Sequence, residues 1–92
     1  MSLADFERTL REATASLTGR GLGPGTARIT DLRRALGGRV DRDEFDSGLL
    51  RLREDGIVAL RPHAYPTFLD PSETRDALQE GPSLLFFLHW LK

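Results

Sequence analysis

Hydrophobic residues recur every three or four positions in three segments of the chain, and extended apolar runs follow near residue 57 and at the C-terminus. In residues 1–19 this spacing predicts one amphipathic helix. Ser2 can cap its first turn, and Asp5 suits the positive end of the helix dipole. The expected buried stripe consists of Leu3, Phe6, Leu10, Ala13 and Leu17.

A second helix is predicted to end at Gly37, with Thr30 as its N-cap. Its inward positions are Leu32, Ala35 and Leu36. A short strand is expected just before it, at residues 27–29. The glycine-rich residues 19–26 lack both the preceding strand and the Gly-Lys-Ser/Thr ending of a phosphate-binding loop, so we interpret them as a connector.

A third helix is predicted to begin after Asp41 and to end before Gly56. Asp41 and Glu44 have the spacing of a capping box, in which each residue satisfies a free backbone N–H of the other. The expected buried stripe consists of Phe45, Leu49 and Leu52. Gly48 falls on the same side, where the missing side chain would let another helix approach closely.

The segment after the third helix is predicted to adopt an extended conformation. Residues 57–61 form an expected strand, and Pro62 ends it because proline cannot donate to a β-ladder. Residues 62–83 are too many for an ordinary hairpin loop of about 2–5 residues. We therefore expect a short helix within them, which begins at Pro71 and runs to Gly81.

Residues 84–91 are apolar on both faces. Their aromatic content and shortness favour a strand, although a strand at a subunit contact or a short buried helix stays open. The chain length predicts one domain over residues 1–92.

This order of elements resembles the winged-helix superfamily, and residues 32–62, about a third of the chain, are similar to GntR-type transcription regulators. The matching positions are Leu32, Leu36-Gly37, Phe45, Leu49, Leu52, Asp55-Gly56-Ile57 and Arg61-Pro62. The resemblance implies an α+β fold: a winged helix-turn-helix with a three-helix core, a β-hairpin wing that contains a helical insertion, and an N-terminal helix. On this interpretation the N-terminal helix spans 1–19, the helix-turn-helix and first wing strand 27–61, the insertion 62–83 and the last strand 84–91.

Composition limits the possible functions. The formal net charge of −1 gives no overall attraction to nucleic acid or to anionic lipid. Without cysteine there is no disulfide, and zinc would need histidine and carboxylate ligands alone. No apolar run reaches the roughly 20 residues of a membrane span, and the N-terminus does not resemble a signal peptide. We therefore expect a cytoplasmic protein with no membrane partner, metal or cofactor.

The outward face of the third helix is acidic. Its residues are Asp43, Glu44, Ser47, Leu50, Arg51 and Glu54, so three acids and one arginine give −2. In the GntR-type pattern, this helix carries a Ser-Arg pair, then hydroxyl residues and a later arginine. In this chain the corresponding residues are Asp41-Arg42, the acids at positions 43 and 44, and Asp46. Carboxylates in a DNA groove are repelled by phosphates, so this face is poorly suited to DNA.

Two function hypotheses follow. In the first, the chain is a nucleic-acid-associated regulatory or accessory domain whose arginines contact the phosphates of duplex DNA; the candidates are Arg33, Arg34, Arg42 and Arg61, with Arg28 and Arg39 nearby. The alternative for these arginines is pairing with Asp31, Asp41 and Asp43. In the second, the domain binds a protein or forms a homodimer through the third helix or the C-terminal strand; the candidates are Leu50, Arg51, Phe87 and Trp90. Leu50 could instead pack beneath the insertion.

Catalysis has little support in the sequence. The chain has two histidines, and neither has further ligands at metal-binding spacing. His63 is expected to be exposed in a turn, and His89 to be a hydrogen-bonded histidine of a sheet. No acid–base pair is evident, so we do not expect an enzyme. Tyr65 and Phe68 could stack on a nucleic-acid base, but we expect them to hold the insertion against the core.

Overall fold

In the computed structural model, which describes residues 2–17, 25–62 and 71–92, helices and short strands form a small α+β domain. The elements in chain order are α1 (Leu3–Ser16), β1 (Thr26–Arg28), α2 (Ile29–Leu36), α3 (Arg42–Glu54), β2 (Val58–Arg61), α4 (Pro71–Asp76), β3 (Leu78–Glu80), β4 (Ser83–Leu85) and β5 (Phe87–Trp90). Across the described ranges, no helix is long and apolar enough to cross a bilayer.

The strands form two antiparallel sheets. In the larger sheet the order is β1-β5-β2, so the last strand lies between two strands from earlier in the chain. Val58 lies opposite Trp90 and Arg61 opposite Phe87. The predicted first wing strand and the C-terminal apolar segment are therefore confirmed as neighbours in one sheet. The smaller sheet is the hairpin β3-β4.

The insertion differs from the prediction in one important respect. Its helix ends at Asp76 instead of continuing to Gly81, because Ala77 and Leu78 enter the core and the chain then extends. Gly81 has a φ of +58° and opens the two-residue turn between β3 and β4, as the first position of a type II′ hairpin turn requires. The single strand predicted over residues 84–91 is therefore wrong: β4 and β5 are separate strands in different sheets.

The helix starts show two kinds of capping. Ser2 accepts a hydrogen bond from the Asp5 amide at 3.1 Å, and Asp41 accepts one from the Glu44 amide at 2.8 Å, so both predicted caps are confirmed. The predicted cap of α2 is wrong, because Thr30 lies buried inside the helix. Since β1 runs directly into α2, the Ile29 amide donates to the Phe86 carbonyl at 2.8 Å and the sheet replaces a side-chain cap.

The core lies between α1, α2, α3 and the inner face of the larger sheet. Its largest fully buried side chains are Phe45, Leu10, Ile29, Leu32, Leu36, Leu49, Leu52, Leu78, Leu88 and Val58. The sequence pattern suggests an N-terminal helix in addition to a three-helix core, but α1 packs on α2 and α3 and is itself one of the three. It ends at Ser16, and Gly19, its predicted end, lies outside the described residues.

Gly48 is a point of close approach between α1 and α3. A Cβ added there would lie 2.5 Å from Cε1 of Phe6, which is buried and meets Phe45 edge-to-face with 6.0 Å between ring centroids. The predicted close approach at this glycine is thus confirmed.

Replacing Gly48 with alanine should lower the free energy of unfolding by up to about 2 kcal/mol, because overpacking costs roughly 1–3 kcal/mol and a gain in helix propensity of about 1 kcal/mol offsets only part of it. Urea denaturation measures the effect. Adding Phe6→Leu to Gly48→Ala should cost less than the two separate changes summed. Gly38→Ala is the control, since a Cβ at Gly38 meets nothing within 4 Å. A Gly48→Ala protein as stable as the parent would contradict this account of the contact.

Candidate functional site

Arg33, the first of the predicted phosphate-binding arginines, lies inside the structure. Its side chain is 12% exposed. Nη2 donates to Oδ1 of Asp46 at 2.7 Å, and Nε donates to the Asp76 carbonyl at 2.8 Å. The guanidinium also lies over the Phe45 ring, 4.8 Å from its centroid. Arg33 therefore joins α2 to α3 and to the end of α4, and it is not available to a phosphate.

Arg34 and Arg42 approach the same end of α4 from outside. Arg42 donates to the Arg75 carbonyl at 2.6 Å, and Arg34 lies 3.5 Å from Oδ2 of Asp76. Both side chains stay at least half exposed. Cations near the last carbonyls of a helix are favourable, so the arginines fix α4 against α2 and α3.

The acids that pair with these arginines differ from those expected. The predicted partners were Asp31, Asp41 and Asp43, whereas Asp46 and Asp76 take that place. Asp76 belongs to the insertion and lies far from Arg34 in sequence, so spacing along the chain could not identify it. Asp46 also lies one helical turn from Arg42, with 4.0 Å between its Oδ2 and the arginine Nε.

Arg61 has a different environment. It lies opposite Phe87 of β5, and on the other side of β5 the same Phe87 lies opposite Arg28. Both arginines are exposed, while Ala27 and Leu88 in the next row are buried, so the arginine row faces outward. Two strand spacings of roughly 4.8 Å put the two Cα atoms about 10 Å apart. We call Arg28 and Arg61 the arginine row.

The outward face of the larger sheet carries no acid. Its strands have the sequences TAR, VALR and FLHW, which contain no aspartate or glutamate. His89 lies two residues along β5 from Phe87, and its Nδ1 is 2.7 Å from Oγ1 of Thr26, which confirms a hydrogen-bonded histidine in the sheet. Among the described residues, neither arginine of the row takes part in an ion pair, and both side chains remain exposed.

The candidates for protein interaction do not form one surface. Leu50 is partly buried against the core, whereas Arg51 is exposed and lies 3.4 Å from Asp55. Phe87 and Trp90 point to opposite faces of β5. Trp90 donates to Oγ1 of Thr14 at 3.0 Å and lies beneath the Arg11 guanidinium, so it fastens β5 to α1.

A further ion pair attaches the small hairpin to α3. Arg53 and Glu80 form a two-pronged contact in which Nη1 donates to Oε1 at 2.7 Å. These hydrogen bonds raise the pKa of Arg53 and lower the pKa of Glu80. The pair holds β3 against the end of α3, and spacing along the chain does not predict it, because the two residues belong to separate elements.

Within the described ranges, no three His, Cys, Asp or Glu side chains lie close enough together to hold a metal ion. His63, Tyr65 and Phe68 lie outside the described residues. Comparison with known proteins found no matching family model, no similar curated protein and no similar solved structure.

Removing the Arg33 side chain by substitution with alanine should cost about 2–4 kcal/mol, since Asp46 loses its nearer cation and two carbonyls at the α4 end lose their donor. Arg34→Ala is the matched control, because its exposed pair with Asp76 is worth about 0–1 kcal/mol. Denaturant unfolding compares them. Equal losses for the two variants would show that Arg33 is not the structural cation.

The Arg53–Glu80 pair should make stability depend on pH. Because the folded state lowers the pKa of Glu80, the pair stabilises the fold above the ordinary glutamate pKa of about 4.3, and this contribution is lost as the pH falls through the lower folded-state pKa. Glu80→Gln should therefore be less stable than the parent at neutral pH, and the difference should vanish in acid. Urea unfolding at several pH values tests this, with Glu12→Gln as a control for loss of a surface carboxylate. A difference that persists in acid would exclude an ionic origin.

Proposed function

We propose that this chain is a winged-helix module that binds nucleic acid through its phosphates and acts as a binding domain rather than an enzyme. Its connectivity supports the winged-helix assignment. The elements α1, β1, α2 and α3 precede β2, and β2 and β1 flank the last strand, β5. In this arrangement β2 and β5 are the wing strands, and α4, β3 and β4 form an insertion at the wing.

The arginine row is the observation that carries the nucleic-acid proposal. Two exposed guanidinium groups project from the same side of a sheet that has no carboxylate on its strands. Guanidinium groups bind phosphate oxygens in a bidentate manner. A Cα separation of about 10 Å lets two long side chains hold one phosphate together or two neighbouring phosphates of a backbone.

The acidic face of α3 argues against a groove-reading mode. Asp43, Ser47, Arg51 and Glu54 are exposed on it, and Glu44 is partly buried. Contacts to phosphates position a protein on nucleic acid, whereas contacts to base edges specify sequence. The proposed module therefore binds with little sequence preference, which suits an accessory domain. Arg34 and Arg42 lie half exposed on other elements and add positive charge without forming part of the row.

Binding to random-sequence duplex DNA over a series of salt concentrations tests the proposal. The affinity should fall as the salt concentration rises. A plot of the logarithm of the binding constant against the logarithm of the salt concentration should have a slope of about −0.9 for each phosphate neutralised. Arg28→Gln with Arg61→Gln should weaken binding and reduce the magnitude of the slope by about two. The control is Arg8→Gln with Arg51→Gln, which removes the same charge from exposed helical positions.

Absence of binding at low salt would overturn the nucleic-acid proposal. If the double substitution in the sheet and the double substitution in the helices weaken binding equally, the effect is one of net charge, and the arginine row is excluded as the binding site. Tighter binding to single-stranded DNA than to duplex would agree with the phosphate contacts, and it would identify single-stranded nucleic acid as the preferred ligand.

A further inference from the structure

Two ring side chains follow one another along the middle strand of the larger sheet. Phe87 and His89 are two residues apart on β5, so both side chains project from the face that carries the arginine row. Both residues are half-buried, and each keeps part of its surface exposed. The outward face of the sheet therefore has rings along its middle strand and cations on both sides. We call Phe87 and His89 the ring strip.

Phe87 occupies the centre of the arginine row. Arg28 lies on one side of it and Arg61 on the other, each about 4.8 Å away between strands. The strands of this sheet contain no acid that would repel a phosphate. A phosphate held by either guanidinium is thus close enough to the ring for the base of the same nucleotide to contact it.

His89 supplies the second ring of the strip. The hydrogen bond between its Nδ1 and Oγ1 of Thr26, at 2.7 Å, restricts the orientation of the imidazole. Its neighbours across the sheet, Thr26 and Ala59, have small side chains, so neither of them rises above the ring. A ring that is already held in place loses little conformational freedom when a ligand stacks on it, which favours binding.

The spacing of the two rings distinguishes a single strand from a duplex. Residues two apart in an antiparallel strand are about 6.8 Å apart, whereas the bases of one strand in a duplex follow each other every 3.4 Å or so. Bases inside a duplex also have both faces covered by their neighbours. A single strand can spread its bases to the wider spacing and offer their faces to side chains.

We infer that the outward face of the larger sheet binds a single strand of nucleic acid, with one base stacked on Phe87, the next on His89, and the adjoining phosphates held by Arg28 and Arg61. The inference rests on the proposed nucleic-acid function, and it specifies the form of the ligand and the residues that contact its bases. Stacking accepts every base, because each has a π-face. The site therefore keeps the low sequence preference proposed above.

Fluorescence anisotropy with three labelled probes tests the inference. The probes are a short thymidine oligonucleotide, the same backbone with abasic sites in place of the bases, and a random-sequence duplex of equal length. The parent protein should bind the thymidine probe at least about fivefold more tightly than the abasic probe, because the phosphates are the same and only the stacking differs. It should also bind the thymidine probe more tightly than the duplex.

Substitutions of the ring strip should affect the thymidine probe selectively. Phe87→Leu, and His89→Asn, which keeps a polar group beside Thr26, should each weaken thymidine binding about fivefold or more and leave the abasic and duplex affinities unchanged. Phe87→Tyr is the matched control, since it keeps an aromatic ring and should bind as the parent does. Circular dichroism checks the fold of each variant.

The outcomes separate this inference from the proposed function. Equal affinity of the parent for the thymidine and abasic probes would overturn the inference and leave the arginine row as a phosphate site, and this comparison needs no variant to fold. Full thymidine affinity in either ring-free variant, or equal losses with all three probes, would also overturn it. Failure of all three probes to bind at low salt would overturn the proposed function itself and the inference with it.

Discussion

The Arg33 guanidinium is the contact on which the arrangement of the helices depends. It lies over the Phe45 ring, binds Asp46 of α3 and donates to carbonyls at the end of α4. A buried cation is tolerated only when charge and hydrogen bonds compensate for its lost hydration, and here one side chain of α2 finds these partners on α3 and at the end of α4. Its position therefore fixes where the insertion meets the core.

That contact also distributes charge over the surface. Because Arg33, Arg34 and Arg42 face α4, their guanidinium groups are paired with carbonyls and carboxylates of the protein itself. The solvent side of α3 consequently keeps a surplus of acids, while the strands of the larger sheet, which contain no acid, carry the cations of the arginine row. A chain with almost no net charge thus carries two faces of opposite sign, which is why its overall charge says little about its partners.

The sequence supplied most of the individual elements. Periodicity located α1, α2 and α3, and local hydrogen-bonding chemistry identified the caps at Ser2 and Asp41. The glycine at position 48 marked the close approach to Phe6. The insertion was harder to predict, because Pro71 signals a helix start correctly, but Gly81-Pro82 also fits the turn of a hairpin. Burial of Leu78 in the core decided for the hairpin.

The sequence by itself determined the features that depend on a few neighbouring residues, namely helix periodicity, caps and turns, because their physical causes are local. Tertiary structure alone decided which arginines are structural and which are exposed. The partners of Arg33 and Arg53 come from the insertion and from another helix, and the alignment of Arg28 with Arg61 requires the register of a third strand between them. Charge pairing depends on distance in space, and only the folded chain sets that distance.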